Sequence, residues 1–133
     1  MRLVPVNEKT CEIEFNETRS NGGKSVHKCS AVFKILPEAE WNELVTSQSN
    51  SRSDVLNRVL LSLSPLEDEH GNPVELESVS AEYEDGVLIE KPMVVRNQVN
   101  NNPAIAKTLF ERAAALHRGL NDAEYRKEKL KNS

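Results

Sequence analysis

The stretch that decides the fold is CEIEFNETRSNGGKSVHKCSAVFKI, residues 11–35. Apolar residues alternate with polar ones on both sides of its central turn, at Cys11, Ile13, Phe15, Cys29, Ala31, Phe33 and Ile35. This period of two is typical of half-buried strands. The Asn21-Gly22-Gly23 sequence between them favours a tight turn, because glycine tolerates positive φ. The segment therefore predicts an antiparallel β-hairpin.

A turn centred near Gly22 predicts that the strands pair Phe15 with Cys29, Ile13 with Ala31, and Cys11 with Phe33. All six side chains then lie on one face of the hairpin. In this register the two cysteines are four residues out of step, roughly 13 Å apart at about 3.3 Å per residue. A disulfide needs Cα atoms within about 7 Å of each other. Both cysteines are therefore expected to be reduced and on the apolar face, as in cytosolic proteins.

Working outward, the pattern changes to a helical period after Leu36. Pro37 and Glu38 are favourable in a first helical turn. One face of this first helix carries Trp41, Leu44, Val45 and Gln48. A second helix is expected to begin with Ser53 or Asp54 as its N-cap and to end at Ser64-Pro65. Its predicted buried stripe is Val55, Leu56, Val59, Leu60 and Leu63.

The strongest helical pattern covers Pro103–Leu120, with Asn102 as a good N-cap and Pro103 as a good first residue. The charged tail after it is expected to be helical or frayed. In contrast, residues 67–90 hold nine carboxylates and no Lys or Arg. Their periodicity leaves short strands and an irregular loop both open, and Pro92–Val99 is expected to form one or two helical turns.

These patterns predict an α+β fold, in which an N-terminal β-hairpin is followed by three to four α-helices and the chain is mainly helical after residue 37. The 133 residues are expected to form a single domain. Residues 1–36 contribute the hairpin, residues 37–120 the helical part with the acidic loop 67–90, and residues 121–133 the charged tail.

The charge and hydropathy exclude several classes of function. The formal net charge is −4, and residues 111–133 carry six Lys and Arg against four Asp and Glu. Binding to nucleic-acid backbones is therefore not expected. No apolar stretch approaches the roughly 18 residues of a membrane span, and residues 1–6 lack a signal-peptide core. The chain is expected to be soluble and cytoplasmic, without a nucleic acid or a membrane as partner.

The sequence also lacks catalytic and metal-binding patterns. His27, His70 and His117 do not stand at metal-ligand spacing from a cysteine or another histidine, and His117 is expected to be partly exposed. Asp68-x-His70-x-Asn72 resembles the start of a calcium loop but lacks its sixth-position glycine and twelfth-position glutamate. The acidic segment is then either a solvated loop or a surface for a partner. We predict no catalytic, cofactor-binding or metal-binding residue, no cofactor and no enzymatic activity.

The helix over residues 103–120 has more apolar positions than one narrow stripe needs. Part of it is therefore expected to face another copy of the chain or a client protein. The candidate partner-binding residues are Ile105, Leu109, Phe110, Ala113 and Leu116. The run Ala113-Ala114-Ala115 allows a close helix approach, either within the domain or between copies.

Five segments follow one another along the chain: Phe33-Lys34-Ile35-Leu36-Pro37, a helix around Glu40-Trp41, Asp54-Val55-Leu56-Asn57-Arg58-Val59-Leu60, the turn Asp68-Glu69-His70-Gly71-Asn72-Pro73-Val74, and an Ala-rich helix from Asn102-Pro103-Ala104-Ile105 to Ala115-Leu116-His117-Arg118-Gly119-Leu120. This order of parts covers residues 31–120. It resembles the tail assembly chaperones of long-tailed bacteriophages and prophages, a family without a catalytic signature.

The resemblance implies an α-helical or α+β module that self-associates and coats the extended tape-measure protein. Such proteins keep the apolar helices of the tape-measure protein soluble in the bacterial host cell until tail-tube subunits replace them. They are absent from the finished virion. The tape-measure protein as partner and a homo-oligomer are therefore what the resemblance implies. The alternative is another phage structural protein, such as a head–tail connector or a tail accessory protein, that acts by self-association.

Overall fold

The computed structural model describes residues 8–18, 22–67, 71–80, 83–88 and 93–131. Some residues of the predicted features lie outside these ranges, namely residues 1–6 at the N-terminus, Asn21 of the hairpin turn, Asp68-Glu69-His70 of the acidic turn and Pro92.

The described residues form nine strands: β1 (Glu8–Thr18), β2 (Lys24–Lys34), β3 (Leu60–Ser64), β4 (Leu66–Glu67), β5 (Pro73–Val74), β6 (Val79–Ser80), β7 (Tyr83–Glu84), β8 (Val87–Leu88) and β9 (Met93–Val94). The first three make an antiparallel sheet in the order β1-β2-β3. The short strands pair two by two, β4 with β5, β6 with β9 and β7 with β8. The predicted hairpin is therefore present, and the acidic segment contains short strands.

Five helices follow the hairpin in the described part of the chain: α1 (Glu38–Thr46), α2 (Arg52–Val59), α3 (Val95–Asn101), α4 (Pro103–His117) and α5 (Asp122–Lys131). The fold is α+β, as the sequence predicts, with five helices instead of three to four. Within the described ranges, no helix has the length and apolarity needed to cross a membrane.

The hairpin register differs from the predicted one by two residues. Ile13 pairs with Cys29 and Cys11 with Ala31, so the midpoint of the turn lies one residue earlier than predicted. A shift of two residues keeps every side chain on its face, and these four side chains still lie in the core. Both cysteines are buried and free, as expected. They stand two residues out of step rather than four.

The N-cap predicted for α4 is confirmed, whereas the one predicted for α2 is wrong. The Asn102 side-chain oxygen accepts hydrogen bonds from the backbone N–H groups of Ala104 and Ile105, at 3.1 and 3.3 Å. Helix α2 is capped by Ser51 rather than by Ser53 or Asp54. The side chains of Ser51 and Asp54 each accept a hydrogen bond from the other residue's backbone N–H, which is a capping box.

The segment Leu60–Ser64 is a strand, although the sequence predicted that it would continue a helix. Leu60 pairs with Phe33 and Leu63 with Ala31, with a register shift between these pairs. The two leucines are three residues apart, so strict alternation would place them on opposite faces. The extra residue, Leu61, returns both leucines to the core and is itself 40% exposed. The prediction failed because burial at this spacing fits a helix and a bulged strand equally well.

The core lies between the sheet, α2 and α4. Its largest fully buried side chains come from all three layers: Ile13, Phe33, Leu56, Val59, Leu60 and Leu109. Helix α4 packs against both β1 and α2, and α3 packs against α2 and α4. Helices α1 and α5 lie outside these layers, and side chains of α4 attach each of them.

Candidate interaction site

The five residues predicted to bind a partner lie on α4, and most of them face the core of their own chain. Leu109 and Ala113 are fully buried, and Leu116 is 6% exposed. Ile105 and Phe110 are partly buried and pack against the same core. In this fold Leu109, Ala113 and Leu116 are therefore not accessible to a partner. Of the five, Ile105 and Phe110 keep an accessible edge.

A second apolar stripe of α4 holds helix α1. Trp41 is the buried residue of α1, and its indole stacks on the His117 imidazole with ring centres 3.8 Å apart and planes within 9°. The Phe110 ring is also close, with its centre 6.4 Å from that of Trp41. We call the surface formed by Leu36, Trp41, Phe110 and His117 the α1–α4 seam. Trp41 thereby attaches a helix that otherwise buries little of its own surface.

His117 links α4 to the start of α1 through one ring nitrogen, and its other ring nitrogen bonds within α4. The backbone N–H of Leu36 donates to Nε2 at 3.1 Å, and Nδ1 lies 2.8 Å from the carbonyl oxygen of Ala113. Since Nε2 accepts, Nδ1 carries the proton and the ring is neutral. Burial lowers the pKa of His117, and the hydrogen bond to Ala113 opposes that shift only in part. With both nitrogens engaged by backbone, His117 acts as a structural clip rather than a general base.

Two shallow depressions border α1, and Leu36 lines both. The larger, about 470 Å³, is lined by Leu36, Glu38, Trp41, Asn42, His117 and Arg118. The smaller, about 280 Å³, is lined by Leu36, Glu40, Glu43, Leu44, Ser47, Asn50 and Arg58. Leu44, which lines the smaller depression, and Val45 are partly buried and pack against the core. Leu36, Leu44 and Trp41 are the apolar residues of these linings, which are otherwise polar or charged. Such a mixed surface suits a docking amphipathic helix or peptide.

Another side of α4 holds α5 through a buried arginine. Arg112 is 4% exposed and forms an ion pair with Asp122 at the start of α5. Its guanidinium lies 4.2 Å from the centre of the Tyr125 ring, and Nη2 donates to the carbonyl oxygen of Glu12 in β1. The Glu12 backbone N–H in turn donates to Asp122 Oδ2 at 3.4 Å. This cluster joins α4, α5 and β1.

The buried cysteines are poorly suited to nucleophilic chemistry. Burial raises the pKa of the Cys11 thiol, and the charge of Arg112 offsets this only in part. Burial also raises the pKa of Cys29, whose Sγ lies 3.6 Å from the carbonyl oxygen of Pro65. Thiols rather than thiolates therefore prevail at neutral pH. Among the described residues, no three His, Cys, Asp or Glu side chains converge as metal ligands would.

Sequence reasoning missed both the seam and the arginine cluster. A signal for the seam was present, because Phe110 and His117 are seven residues apart and share a helix face with period 3.6. Trp41 is the single tryptophan of the chain, and so large a ring is expected to pack against other side chains. Arg112 carried no such signal, since an arginine on a helix is usually exposed.

No protein-family model, no curated protein and no solved structure matches this chain. The interpretation of the site therefore depends on its own geometry and on the motifs of the sequence.

Proposed function

We propose that the protein is a tail assembly chaperone of a bacteriophage or prophage. It binds the tape-measure protein, keeps that protein's apolar helices soluble while the tail tube assembles, and self-associates while doing so. It works in the cytoplasm of the bacterial host and is left out of the mature virion. The activity is reversible protein binding, with no cofactor and no bond-making step.

The observation that carries this proposal is the α1–α4 seam with its partly covered apolar border. Leu44 and Val45 follow Trp41 by three and four residues in α1 and are partly buried against the core. The segments that resemble those of tail assembly chaperones form the elements around the α1–α4 seam. Phe33–Pro37 joins the sheet to α1, and α4 supplies Phe110 and His117.

The seam suits a transient partner for physical reasons. Covering exposed apolar surface stabilises a complex by about 25 cal/mol per Å², and the area that a few partly buried side chains still expose is small. The resulting affinity is moderate, and a chaperone requires this because tube subunits must displace it. Glu40 and Glu43 line the smaller depression together with Leu44 and add charge beside this apolar side chain.

The test is co-expression with the tape-measure protein encoded by the same phage genome, read as the fraction of that protein in the soluble extract. We expect the wild-type chain to raise that fraction severalfold and the Leu44→Glu/Val45→Glu variant to lose the effect. Val26→Glu is the matched control, because Val26 is 57% exposed in β2 and away from the seam. Far-ultraviolet circular dichroism of each variant checks that the fold is intact.

Two results would contradict the proposal. One is a wild-type chain that leaves the tape-measure protein insoluble. The other is a chain that remains in purified virions at a fixed copy number, which would favour a structural or head–tail connector protein acting by self-association.

A further inference from the structure

Helix α1 is attached to the rest of the chain by few contacts. Trp41 is its buried residue, and Leu44 and Val45 are partly buried against the core. Its ion pair with α2 joins Glu40 to Arg58, whose side chains are 42% and 53% exposed, and exposed pairs stabilise a fold little. Segments with few buried contacts open locally, without global unfolding. Helix α1 is therefore the segment whose attachment one contact can decide.

The side chain of His117 supplies two of the contacts that hold α1. Its Nε2 accepts the backbone N–H of Leu36 at 3.1 Å, and its ring stacks on the Trp41 indole with ring centres 3.8 Å apart. The bond between Nδ1 and the carbonyl oxygen of Ala113, at 2.8 Å, holds the ring in this orientation. Leu36 is 5% exposed, so its N–H lies in a largely buried position. The start of α1 thus depends on the lone pair of Nε2.

Protonation of His117 removes that lone pair. An imidazolium carries a proton on both ring nitrogens, and Nδ1 can keep donating to the carbonyl oxygen of Ala113. The new N–H at Nε2 then faces the N–H of Leu36, and two donors cannot bond to each other. A buried donor that loses its acceptor destabilises the state that buries it. The protonated ring and the closed position of Leu36 are therefore in competition.

The charged groups around His117 do not remove this competition. Glu38 of α1 and Arg118, which follows α4, line the same depression as the imidazole. Both are exposed, their charges are opposite, and Arg118 is paired with Glu128 at 3.0 Å. Burial lowers the pKa of His117. The stacking on Trp41 tolerates a neutral or a charged ring, so the bond to the start of α1 is the contact that requires the neutral form.

We propose that His117 is a pH-dependent latch for α1: when the imidazole gains a proton, Leu36 and α1 open away from α4 while the sheet, α2 and α4 stay folded. The core survives because its largest fully buried side chains come from these three layers and none from α1. Opening uncovers Trp41 and Phe110, the two aromatic rings of the seam other than the imidazole. The latch is a property of the chain itself and does not depend on the proposed function.

The test is amide hydrogen exchange of the full chain, followed by NMR at pH 7.5 and pH 5 in several low concentrations of urea. Each rate is divided by that of an unstructured peptide at the same pH. The reporters are the N–H of Leu36 and that of Trp41, which donates to the Pro37 carbonyl oxygen at 2.9 Å. We expect both to exchange through an opening that urea does not affect, because little surface is exposed. Its equilibrium constant should rise about tenfold at pH 5, the change expected from losing one hydrogen bond.

Two matched variants assign the proton to His117. Glutamine at this position keeps an amide oxygen that can accept the N–H of Leu36 but cannot gain a proton near neutral pH. In His117→Gln the opening constant should therefore agree within about twofold at the two pH values. His27→Gln removes an exposed histidine of β2 and should keep the full response. A response that persists in His117→Gln would overturn the proposal, because another group would then cause it.

Two measurements on the wild-type chain test the latch without any variant. The ring-nitrogen resonances of His117 should show Nε2 without a proton at pH 7.5, and a proton on Nε2 at that pH would overturn the proposal. The N–H of Leu109, in the core part of α4, should exchange through global unfolding that urea promotes. If the N–H groups of Leu36 and Trp41 exchange only through that same urea-dependent unfolding, α1 does not open by itself and the proposal is wrong.

Discussion

Two sides of α4 hold their neighbours by different forces. Leu109 and Ala113 face α2 and the sheet, and both are fully buried in apolar surroundings. Arg112 faces α5 and β1, where its charge meets the Asp122 carboxylate and the Tyr125 ring. Helix α5 has no apolar face, and its Leu130 is 76% exposed. One helix thus has an apolar interface with the core and an ionic interface with α5.

The difference shows how one small domain combines a permanent part and a conditional part. Apolar burial depends on the area removed from water and changes little with ionic strength or pH. An ionic interface depends on both partners being charged, and its exposed members are screened by salt. The attachment of α5 is therefore expected to respond to solution conditions that leave the packing of α2 and the sheet unchanged.

The apolar side of α4 should give the largest loss of stability. Leu109→Ala removes a fully buried side chain and leaves a cavity between α4, α2 and the sheet, so the free energy of unfolding should fall by about 2–5 kcal/mol. Urea denaturation followed by circular dichroism measures this change. Leu130→Ala on α5 is the control and should stay within about 0.5 kcal/mol of wild type. Equal losses at both positions would contradict the comparison.

Removing the ion pair between α4 and α5 should destabilise the protein less than Leu109→Ala does. The size of the loss should depend on whether a buried charge is left without its partner. Asp122→Ala leaves the Arg112 charge buried without its carboxylate, which should lower the free energy of unfolding by about 1–3 kcal/mol. In an Arg112→Met background no charge remains to be stranded, so Asp122→Ala should cost much less there. A double-mutant cycle by urea denaturation measures the coupling. A coupling energy near zero would show that the pair does not hold α5.

His117, at the end of α4, should make the seam sensitive to pH. Since burial lowers its pKa in the folded state, the unfolded chain binds a proton that the folded chain does not once the pH falls below the ordinary histidine value of about 6.5. Stability is fully present above that pH and is lost as the pH falls, by at most about 1.4 kcal/mol per pH unit for one group. The loss stops below the folded-state pKa. His117→Gln should remove this part of the pH dependence, measured by urea denaturation between pH 7.5 and pH 5.

The smallest effect is expected from the exposed ion pair of α5. Arg118 and Glu128 are 3.0 Å apart, with side chains 56% and 40% exposed, so Arg118→Ala should change the free energy of unfolding by less than about 0.5 kcal/mol. Salt should abolish even that difference. A loss comparable to that of Asp122→Ala, measured in the same titration, would mean that exposed pairs hold α5 as firmly as the buried one.

Local patterns of the sequence predicted those parts of the fold that local physics decides. The alternation of apolar and polar residues predicted the hairpin, and the preference of asparagine for the N-cap position predicted the start of α4. The register was missed because a slip of two residues buries the same faces. Strand β3 was missed because Leu60 and Leu63 fit either period, and pairing with β2 decided between them.

The sites depended on contacts between distant residues, so the sequence could predict less of them. The surplus of apolar positions on α4 was recognised, but not which neighbours cover it. Leu109 is buried in the core, and Phe110 contacts Trp41, which lies 69 positions earlier in the chain. The bond from Leu36 to His117 spans 81 positions. Neither contact leaves a local pattern that indicates its partner.

The contact of Glu12 with the arginine cluster has a consequence for how the chain behaves at high concentration. Strand β1 is an outer strand of its sheet, and outer strands are templates on which further strands add during aggregation. Both backbone groups of Glu12, in the middle of this 11-residue strand, are engaged by Asp122 and Arg112. A strand from another molecule cannot add along the full length of β1 while α5 is docked. By capping that edge, α5 protects the chain against edge-to-edge aggregation.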